Sequence, residues 1–153
     1  MRVVARVTAI VLLAAAVAAA QAAVLPVFST ARLYTTDADF NRAIQPYQQA
    51  ITANARNARA HYWLGFAYLH VYVLQIGGGA PYAARFLPKA IESLNKAIEA
   101  DPKILEAYVS LHDAYALAGE TEKADKVTLQ MFENTRPKWL APIPAPQPGG
   151  PGR

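Results

Sequence analysis

His61-x2-Leu64-Gly65-x2-Tyr68 and Tyr108-x2-Leu111-His112-x2-Tyr115 are two copies of one phrase. Each is followed downstream by a step of two small or flexible residues. With an earlier copy the steps are Ala43/Ala50, Ala90/Ala97 and Ala124/Met131, each pair seven apart. Seven residues make about two helical turns, so both members of a pair lie on one helix face. Small side chains there let a neighbouring helix approach closely. A phrase repeated in register implies a stack of units, each too small to bury its apolar face alone.

The upstream phrases also set a period. Tyr34 and Tyr68 are 34 residues apart, whereas Tyr68 and Tyr115 are 47 apart. The surplus falls after the Tyr68 helix and contains Gly77, Gly78, Gly79 and Pro81, so the second unit carries an insertion between its helices. This pattern resembles the tetratricopeptide repeat (TPR), with its W-x2-L-G-x2-Y, A-x3-F and P positions over about 34 residues. The resemblance covers about 110 of the 153 residues. His61 and Tyr108 stand at the Trp position, His112 at the Gly position, and Pro137 is displaced by one. The resemblance implies an all-α protein, an α-solenoid of antiparallel helix pairs, with repeats over 24–57, 58–102 and 103–136.

Helices are predicted over roughly 25–36, 38–54, 58–75, 87–100, 103–118 and 121–134, with a loop over 77–86. Asn57 reads as the cap of the 58–75 helix, and Asp101-Pro102 as N-cap and first helical residue of the next upstream helix. Gly119 fits the left-handed residue that ends a helix. Pro46 falls inside a helix, where it removes a hydrogen bond and is expected to bend the chain.

Arg2 and Arg6 precede an apolar stretch that ends in Ala20-Gln21-Ala22. That order reads as a secretory signal peptide over 1–22, cut after Ala22 or after Ala20. Left uncleaved, the run Val7–Val27 is long enough to anchor the chain in a membrane. The expected location is therefore periplasmic or secreted, with membrane anchoring as the alternative. Residues 137–153 are rich in Pro and Gly and form a tail, from which Trp139, Leu140 and Ile143 could fold back over the last helix pair.

Composition excludes several classes. The chain has no cysteine, which removes disulfides, thiolate ligands and lipid attachment at an N-terminal Cys. The net charge of +4 falls to +2 without Arg2 and Arg6, and the basic residues are scattered, which argues against nucleic acid. His61, His70 and His112 form no metal-ligand spacing, and Gly77-Gly78-Gly79 lacks the Lys-Ser/Thr ending of a phosphate loop. No cofactor and no catalytic residue are expected.

The resemblance places function on the concave face, lined by the upstream helix of each pair. Transferred residue by residue, it gives Arg59, Tyr62, Phe66, Leu69 and His70 on one helix. On the next it gives Glu106, Val109, Asp113 and Leu117, and on the first Phe28 and Arg32. Tyr62 and Phe66, four apart, share a helical face and could anchor a protein or peptide partner. With Phe66 and Asp113 where the family's carboxylate-binding grooves use Lys and Asn, an extended apolar segment with one or two positive charges fits better. Two arrangements stay open: this surface is free, or the apolar insertion over 71–86 covers it. That insertion is also a candidate contact for a homo-oligomer.

Overall fold

At Gly65 two helices approach closely. A Cβ built there would lie 2.7 Å from Leu94 Cγ and 3.1 Å from the Leu94 backbone nitrogen. The helices it joins are the second and third of the five among the described residues. The computed structural model describes residues 24–76, 78 and 80–137. Within them α1 (Asp37–Ala53), α2 (Ala58–Ile76), α3 (Phe86–Ala100), α4 (Leu105–Leu117) and α5 (Thr121–Thr135) follow in order, and no strand is present. A 3-10 turn, Pro81–Arg85, precedes α3. The signal-peptide reading of 1–22 and the reading of the tail from 138 onward lie outside the described residues, as do Gly77 and Gly79.

Each helix packs on its chain neighbour, and α2 also touches α4. The fold is thus a TPR-like stack, all-helical as the sequence predicts. The small-residue steps explain the spacing. Ala90 and Ala97 are fully buried, with Leu94 between them. On α2 the buried positions run almost all round the helix: Ala60, His61, Tyr62, Leu64, Ala67, Tyr68, Leu69 and Val71. A helix covered over most of its circumference, with the Arg59–Phe66–Val73 stripe more open, is the interior member of a stack rather than an amphipathic surface helix.

Local chemistry sets the boundaries. The Asn57 side chain accepts from the Ala60 amide at 3.0 Å, capping α2 as expected. Gly119 has φ of +76°. The amide of Gly119 bonds Ala116 O (3.1 Å) and that of Glu120 bonds Tyr115 O (2.9 Å). Those two bonds form a Schellman ending to α4. Asp101-Pro102 departs from expectation. Asp101 accepts from the Lys103 amide at 2.9 Å in a local turn, and α4 starts only at Leu105. Asp101 instead ends α3, its amide bonding Ala97 O. Behind this turn, Asn134 Nδ2 donates to the Tyr108 hydroxyl (2.8 Å), which donates to Pro102 O (3.1 Å). Pro46 lies inside α1, which continues on both sides of it.

One predicted helix does not form. Residues 24–36, expected to carry a helix over 25–36, are irregular and extended instead. The Pro26, Ser29 and Tyr34 carbonyls accept from tyrosine hydroxyls instead of helix amides, and α1 begins only at Asp37, where the Thr36 hydroxyl accepts from the Asp39 amide at 3.1 Å. The segment, here called the strap, nevertheless buries Phe28 (4% exposed) and Tyr34 (4% exposed) in the core. Phe28 stacks on Tyr34 at 5.1 Å and meets Phe40 edge-on at 6.4 Å. Burying a ring of this size contributes about 1.5–3 kcal/mol.

Gly65→Ala tests the close approach. Alanine favours a helix over glycine by about 0.5–1 kcal/mol. Overpacking a filled core costs about 1–3 kcal/mol, and here a backbone atom lies behind the contacted side chain. The expected result is a net loss, read as an earlier midpoint in urea with an unchanged slope.

Candidate functional site

Arg59 on α2 and Glu106 on α4 stand at equivalent places in their repeats, 47 residues apart, and form an ion pair at 3.2 Å. The pair joins the two upstream helices along the face that the sequence marks for binding. The Arg59 guanidinium also lies 5.9 Å from the Tyr62 ring centre. Glu106 is held below the usual carboxyl range, first by a hydrogen bond from its own backbone amide and then by Arg59. Both partners are exposed, so the bridge orients the surface more than it stabilises the fold.

From this bridge the face divides into two halves. Along α4 lie Leu105, Glu106, Val109, Asp113 and Leu117, all open to solvent. Val109 is 51% exposed and Leu105 48% exposed, large values for apolar side chains in a stack this small. Asp113 Oδ1 is 3.2 Å from His112 Nδ1. This half is an apolar strip bearing two carboxylates. Leu105 is not among the residues the sequence marks for this face.

The α2 half is covered. Tyr62 and Leu69 are buried, and Phe66 and His70 are half-buried. The cover over Phe66 and His70 comes from the strap: Phe28 meets Phe66 edge-on at 6.4 Å and His70 at 5.9 Å. The other ring contacts of Phe66 are to Tyr62, Trp63 and His70 of its own helix. Covering by the insertion was the alternative expected from sequence, and the ring contacts assign that role to the strap. Leu69 is a core residue, while Arg59 stays at the rim.

The insertion instead helps to hold the strap. Tyr82, in the 3-10 turn, donates its hydroxyl to Tyr34 O at 2.6 Å. Arg85 binds both Asp37 carboxylate oxygens at 2.9 and 2.8 Å. Tyr47 on α1 donates to Pro26 O at 3.0 Å, and Tyr34 donates to Ser29 O at 2.9 Å. Burial pushes Tyr47 up to about 12, helped by Tyr34, and raises Tyr82 with help from Asp37 and Asp39. These hydroxyls therefore remain donors over the whole working range. Neither Tyr47 nor Tyr82 was picked out from sequence. Nothing in the spacing of either residue marks it as a clamp.

The three histidines have separate roles. His61 is buried with Nε2 2.9 Å from Ala55 O, tying α2 to the turn before it. His112 pairs with Asp113. His70 sits between Phe66, stacked at 6.3 Å, and Phe28. Burial lowers its pKa below 6.5, opposed by a backbone hydrogen bond with Thr30. Among the described residues no group of His, Cys, Asp and Glu could hold a metal ion.

A family model described as TPR repeat matches residues 34–70, the span from Tyr34 through α1 and into α2. That span thus matches a tetratricopeptide repeat, and the helix-pair stack around it is consistent with that family's architecture. Repeats of this family generally mediate protein–protein interaction, and the family is typically non-catalytic. No curated protein matches the chain.

The surroundings of His70 set a pH dependence. The fold holds the neutral imidazole, so its pKa is lower folded than unfolded. The associated stability is complete above the unfolded value of 6.5 and is lost as the pH falls through the folded value. The thermal midpoint should therefore drop more steeply below about pH 6.5 in the native chain than in His70→Phe, which keeps a ring but cannot charge. Parallel curves for the two proteins would contradict this.

Proposed function

We propose that this is an exported protein-binding module that holds an extended segment of a partner against the upstream-helix face. The observation that carries this reading is the exposed strip on α4. Leu105, Val109 and Leu117 supply apolar area, while Glu106 and Asp113 supply negative charge. An apolar segment with one or two basic residues matches that pattern: its side chains would bury against the valine and leucines, and its charge would meet Asp113. Binding would be non-covalent and presented by rigid helix pairs. Export rests on the order of basic, apolar and small residues over 1–22, which suits a periplasmic or secreted protein. The same segment left uncleaved would hold it at a membrane. No helix among the described residues is itself long and apolar enough to cross one.

A second reading has its own support. Val73, in the part of α2 that runs into the insertion, is 46% exposed. Apolar area there would suit a contact between copies in a self-assembling subunit, with residues 71–86 at the interface.

Site-specific photo-crosslinking from position 109 in the native envelope separates the two. A discrete adduct with another protein, reduced at least about fivefold by Asp113→Arg, is the expected result, since reversing a charge opposite a basic group commonly costs over 1 kcal/mol. Adducts only between copies, abolished by Val73→Asp, would replace it with the self-assembling subunit.

A further inference from the structure

The strap is bound more like a peptide than like a part of the core. Among the described residues, no backbone–backbone hydrogen bond ties residues 24–35 to the rest of the chain. Its polar ties to the stack run instead from side chains to its carbonyls. Tyr47 reaches Pro26 O and Tyr82 reaches Tyr34 O, nearly the whole length of the segment apart. Between those clamps the strap inserts two rings, Phe28 and Tyr34, six residues apart. Their neighbours turn outward: Val27 and Leu33 are each 73% exposed. Two anchoring side chains, exposed residues between them, and hydroxyl donors on main-chain carbonyls are how a groove reads an extended peptide.

The surface beneath the strap is also specific. Phe40, Phe66 and His70 form the wall that receives Phe28. Tyr34 packs edge-on to Phe40 at 6.0 Å. Near the outer edge, Arg32 sits 3.6 Å from Asp39, a long exposed pair that adds little hold.

We propose that residues 24–36 are a built-in ligand. On this inference the surface they cover is a recognition site for an extended segment carrying two aromatic rings six residues apart, and it becomes available when the strap leaves. The covered surface is the α2 half of the face assigned above to partner binding, so the inference rests on that reading and gives it a gate. The strap, attached to its own site, is present at an effective concentration in the millimolar range. A free peptide at micromolar concentration therefore competes poorly with it unless the strap's own anchors are removed.

The test uses the full chain, its Phe28→Ala/Tyr34→Ala variant, and a fluorescent synthetic peptide with the sequence of residues 24–36. Anisotropy titration should show the peptide binding the variant at least about tenfold more tightly than the native chain, since the variant's strap no longer competes. The same peptide with Ala at both ring positions should bind neither protein. In the variant, the His70 ring signals followed by NMR should titrate nearer the ordinary imidazole range, and added peptide should reverse that change. A helical variant that binds no peptide would overturn the proposal. So would equal binding to both proteins, which would place the peptide elsewhere. Loss of helical circular dichroism in the variant would overturn it as well, because the strap would then be core. None of these outcomes depends on position 109, so failure here leaves the α4 strip as it stands, and failure of the crosslinking there leaves this test intact.

Discussion

The distance between α2 and α3 governs the rest of the molecule. With no side chain at Gly65, Leu94 can rest against the α2 backbone, and Ala90 and Ala97 keep α3 slim on the same face. This contact makes α2 the interior helix, buried almost all round. Once α2 is fixed, α1 packs on one side of it, and α3 and α4 on the others. The two halves of the candidate face follow, because one lies on α2 and the other on α4. The Arg59–Glu106 pair spans the join but does not create it.

What the sequence made legible was the periodic part. Leu, Ala and Tyr at repeat positions are packing residues, and packing residues are constrained by spacing. The phrases at 61–68 and 108–115 therefore located α2 and α4, and the seven-residue steps located the other three helices. Asn57 and Gly119 were legible for a related reason, since cap and left-handed positions restrict residue type strongly. The strap was not legible as such. Tyr34 occupies the right register for a helix and is as deeply buried as a repeat Tyr, yet no helix carries it. Register reports where a side chain must go and says nothing of the backbone that delivers it. The Thr36–Asp39 cap marks only where α1 starts, and no cap or period within 24–36 separates an extended path from a helix there.

The candidate face was legible in outline and not in its accessibility. Arg59, Val109 and Asp113 are exposed, whereas Tyr62 and Leu69 are buried and Phe66 and His70 lie under Phe28. Which residues line a face depends on helix periodicity, but which remain open depends on segments distant in sequence. Phe28 and His70 are 42 residues apart, and no local pattern couples them.

The strap's clamps have a consequence for its own sequence. Tyr47 and Tyr82 grip carbonyl oxygens, and every residue type carries one. Side chains at 24, 27, 29 and 33 point to solvent and take no part in the grip. The segment can thus exchange most of its letters freely while keeping its path, provided rings persist at 28 and 34. It is a stretch whose identity is carried by two positions and a backbone.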